Sequence, residues 1–181
     1  MIIQDKRYTE FYKDIISLVD FISAEHQRFS QKFELTHNLI NLGRKRLDDV
    51  LSASRRDEAF INLVKDYVHQ VGEWGYSVSI PLVSSALSVR FRGKSIESTL
   101  NKLHYYMVEK EHGIALNKII NDLMGFRIIV DVDINYDSIR KVLEEERKSI
   151  IFRPYVRRDE GYHALHLYFK NNNNRYFPWE L

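Results

Sequence analysis

Residues 87–98 combine basic side chains with a helix start in a way that suits anion binding. Apolar and basic residues alternate here, so that Arg90 and Arg92 share one face of a predicted strand. Gly93 permits a turn, and Ser95 is a favoured helix cap before apolar residues at helical spacing. Basic side chains, serine hydroxyls and the free N–H groups of a helix N-terminus all favour a polyphosphate. A basic strand face exposed to water is the equally weighted alternative.

An aspartate and an arginine lie close to a second predicted strand, from Phe126 to Val132. Asp122 comes just before Gly125, and a carboxylate at the start of a strand can hold a divalent cation beside a cleft. Arg127 projects from the polar face of the strand. From these two residues alone, a turn-capping aspartate and a surface arginine are the favoured interpretation.

The strand predicted from Tyr162 to Phe169 carries an aromatic ring and an imidazole on one face. Strand parity puts Tyr162 and His166 together, opposite a core face. That core face consists of Leu165, Leu167 and Phe169. Tyrosine can stack on a nucleobase and histidine can donate to a phosphate, although a histidine in a strand is more often structural.

The end of the chain predicts a hairpin that adds a carboxylate to this face. The expected register pairs Leu167 with Trp179 and Phe169 with Phe177. Glu180 then lies beside His166. There it can bind magnesium together with Asp122, or take a proton from a hydroxyl nucleophile. The alternative is a charged residue on a solvated edge strand.

These residues require a helical region followed by a layered α+β region. Apolar spacing predicts helices within residues 8–22, 35–51 and 60–68. Gly72, Gly75 and Pro81 then interrupt the pattern, and the apolar period changes from near four to two. We therefore predict a helical N-terminal region over residues 1–76 and a second domain over residues 77–181.

The second region alternates predicted strands and helices. Strands are expected at about 86–92, 126–132, 150–155, 162–169 and 175–181, and helices at about 95–111, 116–120 and 136–147. The asparagine run at 171–174 predicts a turn. The expected fold is α+β, with a mixed sheet of about five strands flanked by helices.

Composition excludes several classes of function. The 181 residues carry 27 Lys and Arg against 25 Asp and Glu, so the net charge of +2 is too small for a dedicated nucleic-acid coat. The absence of cysteine excludes disulfides and thiolate metal sites. We find no P-loop, no nucleophile elbow, no signal peptide and no run of transmembrane length. We therefore expect a soluble cytoplasmic protein with no membrane partner.

Taken in order, four segments between about residue 85 and Leu181 resemble the synthetase domain of the RelA/SpoT family, which makes the alarmones ppGpp and pppGpp. Arg92 to Ser98 resembles the family's Arg-x-Lys-x-x-x-Ser element, and Asp122 to Arg127 resembles its Asp-x-x-Gly-x-Arg element. The resemblance implies that Asp122 holds Mg²⁺ and that Arg127 packs on adenine. The ATP phosphates would be gripped by Arg92, Lys94, Ser98 and Lys102, with Arg90 as a further candidate.

The other two segments are similar to the acceptor side of that domain. Gly161 to His166 resembles the element whose tyrosine stacks on guanine and whose histidine contacts the acceptor phosphate. By resemblance, these roles pass to Tyr162 and His166, with Arg157 and Arg158 as additional acceptor-binding candidates. Trp179 to Leu181 resembles the start of the Glu-x-Gln strand, so Glu180 would serve magnesium or activate the acceptor 3′-hydroxyl.

The resemblance implies a single-domain enzyme of the small alarmone synthetase type, with a nucleotidyltransferase-like fold and catalytic Asp122 and Glu180. It would transfer pyrophosphate from ATP to the 3′-hydroxyl of GDP or GTP. No segment resembles the family's hydrolase domain, and the family's glutamine and following helices would come after Leu181. We therefore expect the fold to be shortened at this end.

Two other functions remain open. A toxic relative would pyrophosphorylate adenosine nucleotides or the tRNA 3′ end, with the basic runs at residues 44–46 and 55–56 on the RNA backbone. An inactive nucleotide-binding or interaction module would bind without transfer. The oligomeric state is also open, with a homo-oligomer among the alternatives.

Overall fold

The computed structural model describes residues 6–82, 87–110, 113–130 and 135–181. Five α-helices and seven β-strands occur in these ranges. The helices are α1 (Lys6–Thr36), α2 (Glu58–Leu82), α3 (Ile96–Glu109), α4 (Leu116–Ile119) and α5 (Tyr136–Arg147). The strands are β1 (Leu51–Ser52), β2 (Arg55–Arg56), β3 (Ser88–Gly93), β4 (Met124–Ile129), β5 (Ile151–Asp159), β6 (Tyr162–Phe169) and β7 (Trp179–Glu180). Residues 85, 86, 111, 131 and 132, where predicted segments begin or end, lie outside the described residues.

Five strands form one mixed sheet in the order β3-β4-β7-β6-β5. The pairs β3–β4, β5–β6 and β6–β7 are antiparallel, while β4 and β7 are parallel. The tight turn between β5 and β6 uses Gly161 at φ 73°, a left-handed conformation that glycine adopts without a Cβ clash. The predicted α+β fold with a mixed five-stranded sheet is confirmed.

The helix predicted across residues 35–51 is wrong. Helix α1 is continuous to Thr36, and the chain then forms a loop, a 3₁₀ turn at Leu47–Asp49 and the β1–β2 hairpin. Leu39 and Leu42 are buried in that loop. Their spacing therefore reflects burial against the core rather than a helix. By contrast, the predicted helices α4 and α5 and the strand β6 are present with nearly the expected bounds.

Helix α2 continues through the position where the domain boundary was predicted. It contains Gly72 and Gly75 and ends at Leu82. Buried side chains of α1, α2 and the sheet form one hydrophobic cluster. The division into residues 1–76 and 77–181 stays a prediction.

The register of β7 differs from the prediction by two residues. Phe169 pairs with Trp179, and Tyr168 pairs with Glu180. The connection before β7 is not a simple asparagine turn, because Phe177 is buried there with its ring centroid 4.0 Å from that of Tyr67 on α2. Strand β7 is therefore shorter than expected. Since the shift is even, Glu180 still faces the same side of the sheet.

Gly75 permits the close approach of α2 to β3. A Cβ atom at Gly75 would stand 2.1 Å from Cζ of Phe91, whereas a Cβ at Gly72 would meet nothing within 4 Å. The Phe91 ring also packs edge-on against Phe126, with centroids 5.5 Å apart. The ring therefore cannot move away without disturbing a second aromatic contact.

We predict opposite effects for alanine at the two glycines. Gly75→Ala should lower the free energy of unfolding by roughly 1–3 kcal/mol, because the added methyl overpacks the contact with Phe91. Gly72→Ala should raise it by roughly 0.5–1 kcal/mol, because alanine is the better helix former. Urea unfolding of both variants measures this, and equal changes of the same sign would contradict the packing argument.

His26 joins α1 to α2 and to the chain before β7 within the core. Its Nδ1 accepts from Asn171 Nδ2 at 2.9 Å, and its Nε2 lies 3.2 Å from Tyr67 Oη. Burial lowers the pKa of His26 to about 4. The folded protein therefore holds this ring neutral.

This burial predicts a loss of stability in mild acid. The unfolded chain takes up a proton near pH 6.5, whereas the folded ring resists protonation until about pH 4, so stability falls as pH decreases between these values. Between pH 7.5 and pH 5 the His26 contribution should be about 2 kcal/mol. Urea unfolding at both pH values should show that His26→Gln reduces the difference in the free energy of unfolding between them by this amount. His69→Gln, on an exposed part of α2, should not.

Candidate functional site

The start of α3 has the geometry that its sequence predicts. Ser95 is the N-cap, and its Oγ accepts from the Ser98 backbone N–H at 3.1 Å and donates to Ser98 Oγ at 2.9 Å. Arg90 and Arg92 are exposed on β3, on the face opposite the half-buried Val89. The basic strand therefore leads directly into a capped helix N-terminus.

Two lysines meet at Asp122. Lys94 Nζ donates to Asp122 Oδ2 at 2.6 Å, and Lys102 Nζ donates to Oδ1 at 3.0 Å. Lys102 Nζ also donates to Oδ1 of the buried Asn121 at 3.3 Å. The three charged side chains are largely shielded, with 14%, 23% and 21% of the side-chain surface exposed for Lys94, Lys102 and Asp122. Their combined charge is positive.

The pKa values of Lys102 and Asp122 are both lowered, but for different reasons. Burial lowers the pKa of Lys102, and the negative charges of Asp122 and Glu180 oppose that effect only in part. For Asp122, burial would raise the pKa, but the nearby charges and hydrogen bonds of the two lysines outweigh it and hold the pKa below its usual value. Asp122 is therefore a carboxylate at neutral pH.

A second group of polar side chains lies on β6 and β7. His166 Nδ1 donates to Glu180 Oε1 at 2.5 Å, and Tyr162 Oη lies 3.4 Å from His166 Nε2. The contact expected between Glu180 and His166 is thus present, although Glu180 is the strand partner of Tyr168 rather than of His166. Glu180 reaches His166 diagonally across the strand pair.

Strand β4 lies between the basic strand β3 and the strand β7 that carries Glu180. Gly125 is the strand partner of Arg92 on one side and of Glu180 on the other, so these residues form one row across three strands. The arginine of the basic strand and the carboxylate of the last strand consequently face one region.

A cavity of about 510 Å³ opens over this row. Its polar wall contains Arg92, Arg127, Arg157, Tyr162, His166 and Glu180. Its apolar wall includes Phe11, Ile15, Ile128, Val130, Ile139 and Leu143. An apolar cleft with a few convergent polar groups is the usual form of a small-molecule site. Six of the predicted site residues therefore border one cavity.

The other predicted site residues lie outside the cavity lining. Lys94, Lys102 and Asp122 form the cluster described above, and Ser98 contacts Ser95. Arg90 is the strand partner of Arg127, and both are exposed. Arg158 is largely exposed, and its Nη2 lies 3.5 Å from Oδ2 of Asp137 on α5.

Arg157 lies over the ring of Tyr162. Its guanidinium carbon is 5.4 Å from the ring centroid, and its Nε donates to Asp159 Oδ2 at 2.5 Å. Asp159 raises the pKa of Arg157 through this hydrogen bond. A planar ligand that stacks on Tyr162 must therefore share that ring with Arg157 or displace it.

The sequence motifs gave no indication that helix α1 lines the cavity. Phe11 and Ile15 contribute to its apolar wall, beside residues of α5. Arg147 fixes the two helices through paired hydrogen bonds to Asp20, from Nε to Oδ1 and from Nη2 to Oδ2, both 2.6 Å. Apolar periodicity identified Phe11 and Ile15 as buried-face residues, but no local signal distinguishes a cavity wall from a core.

Asp122 and Glu180 are the predicted metal-binding carboxylates, and both are hydrogen-bonded in this structure, Asp122 to two lysines and Glu180 to His166. Within the described parts of the chain, no three His, Asp or Glu side chains are grouped to hold a metal. Two carboxylates instead fit a cation whose other ligands are phosphate oxygens and water, as is common for magnesium. The residues present therefore suit a metal bound together with a polyphosphate.

No protein-family model matches the chain, and a search of curated proteins found no significant match. None of the described helices is both long and apolar enough to cross a bilayer.

Proposed function

We propose that the chain transfers the β,γ-pyrophosphate of ATP to the ribose 3′-oxygen of GDP or GTP, as RelA/SpoT-type synthetases do. The observation that supports this proposal is the single cavity bordered by Arg92 and Arg127 on one side and by Tyr162, His166 and Glu180 on the other. These residues belong to separate segments with donor-like and acceptor-like chemistry. A transfer between two nucleotides needs both in one cavity.

The donor would bind along β3 and the start of α3. Arg92, Lys94 and Lys102 carry the positive charge that a triphosphate requires, and Ser98 offers a hydroxyl. Arg127 offers a planar guanidinium to a purine. Bound Mg²⁺, held by Asp122 and Glu180, would supply neutralisation of the charge on the transferred phosphoryl groups.

The acceptor would bind on β6 with its base against Tyr162. His166 would contact an acceptor phosphate, while Arg157 stacks over Tyr162 or shares the base with it. The acceptor 3′-oxygen attacks the β-phosphorus of ATP, the bond from the bridging α,β-oxygen to that phosphorus breaks, and AMP leaves. Glu180, oriented by the hydrogen bond from His166, accepts the 3′-hydroxyl proton.

Transfer of label from [γ-³²P]ATP tests this function directly. With magnesium, the wild-type chain should label GDP and GTP, and Glu180→Gln should lose at least a hundredfold in turnover while keeping its melting temperature. Glu160→Gln, the same change on the exposed β5–β6 turn, should retain activity. Parallel reactions with AMP and tRNA identify other acceptors. Label on tRNA or AMP alone, or on no acceptor, would contradict the guanine-nucleotide proposal.

Substitutions on the two sides of the cavity should raise the KM values of different substrates. Arg92→Ala should raise the KM for ATP roughly tenfold or more through loss of a charge-assisted contact, with a smaller effect on the acceptor. Tyr162→Ala should raise the KM for GDP or GTP roughly tenfold through loss of stacking. Initial rates with each substrate varied in turn measure both. An equal loss of ATP affinity in the two variants would refute this division.

A further inference from the structure

The arrangement around Asp122 poses a chemical problem for metal binding. A cation approaching this carboxylate meets two ammonium groups, each already within hydrogen-bond distance of one of its oxygens. The cluster carries one negative and two positive charges, and most of its surface is shielded from water. Shielding strengthens both the lysine–carboxylate attraction and the repulsion of a further cation.

Lys102 is held in this position by a neutral side chain as well as by Asp122. Asn121 is buried, and its Oδ1 accepts from Lys102 Nζ at 3.3 Å. The lysine also lies one helical turn beyond Ser98 on α3, the helix that follows the basic strand. The Lys102 ammonium group is thus held near the start of α3, where a polyphosphate would bind.

We infer that Lys94 and Lys102 form an electrostatic latch that keeps divalent cations off Asp122 until a polyphosphate draws the two ammonium groups away. The inference rests on the proposed function only in taking ATP as the natural polyphosphate. The triphosphate supplies anionic oxygens for both lysines and frees the oxygens of Asp122 for the cation. Metal and polyphosphate then favour each other's binding by the same factor. In this scheme Lys102 contacts the polyphosphate directly and acts on the metal only through Asp122.

Manganese titration without nucleotide tests the first half of the latch. Mn²⁺ binding, followed by the electron paramagnetic resonance signal of the free ion, should be weak in the wild-type chain. It should become at least tenfold tighter in Lys102→Met, which removes the charge and keeps the apolar stem. The gain should disappear in the double variant Lys102→Met, Asp122→Asn. Lys141→Met on α5 makes the same charge change at an exposed position and should bind Mn²⁺ like the wild type.

Tripolyphosphate binding in the presence of EDTA tests the second half. The wild-type chain should bind tripolyphosphate without metal, and Lys102→Met should bind it at least fivefold more weakly. Melting curves show whether each variant folds. If Lys102→Met does not fold, the same two measurements are made on Lys94→Met. Unchanged Mn²⁺ affinity in the folded lysine variants, a gain that persists without Asp122, or unchanged tripolyphosphate affinity would overturn the latch.

These measurements separate the latch from the proposed function. Neither titration involves turnover or an acceptor. A chain that shows the Mn²⁺ gain but transfers no pyrophosphate keeps the latch and loses the synthetase proposal. A chain that labels GDP or GTP but shows no gain keeps the synthetase and loses the latch.

Discussion

The candidate site depends on the pairing of strand β7 with its two neighbouring strands. The sheet order makes β7 the link between the β3–β4 pair and the β5–β6 pair. It is only two residues long, but Leu167 and Leu181 exchange backbone hydrogen bonds of 2.8 and 2.9 Å just beyond it. The Trp179 indole is fully buried and stacks on Phe169 with ring centroids 4.0 Å apart. Burial of this aromatic pair fixes Glu180 on the opposite face, between the basic strand and His166.

The N-terminal helices support β7 from the other side of the core. Phe177 packs on Tyr67 of α2, and Asn171 bonds to His26 of α1. The chain between β6 and β7 is therefore anchored by residues far from it in sequence. Helix α1 also contributes Phe11 and Ile15 to the cavity. The helical region thus holds the last strand and forms part of the site wall.

Both carboxylates of the site, and one of its arginines, have charged or polar partners in this structure. Asp122 is bonded to two lysines, Glu180 to a histidine, and Arg157 to Asp159. For Asp122 and Glu180, which are largely shielded from water, the pairing removes part of the cost of burying a charge. An anion that approaches Lys94 and Lys102 would compete with Asp122 for their ammonium groups.

Local sequence patterns determined several elements correctly. The Ser95 cap, helix α5, and the separation of His166 from Leu167 and Phe169 on β6 depend on residues within a few positions of one another. The same reasoning failed across residues 35–51, because leucines buried in an irregular loop have the spacing of a helix. It also missed the register of β7, which is set by packing of the preceding loop on α2.

By itself, the sequence determined which side chains could do chemistry and which face of each strand would carry them, because alternation and capping are local properties. The contact of Glu180 with His166 survived a wrong register because a shift of two residues preserves the face. Only the tertiary structure decided that Lys94 and Lys102 share Asp122, that Arg157 covers Tyr162, and that α1 lines the cavity. Such contacts depend on packing between distant segments and side-chain conformation, which no spacing of residues encodes.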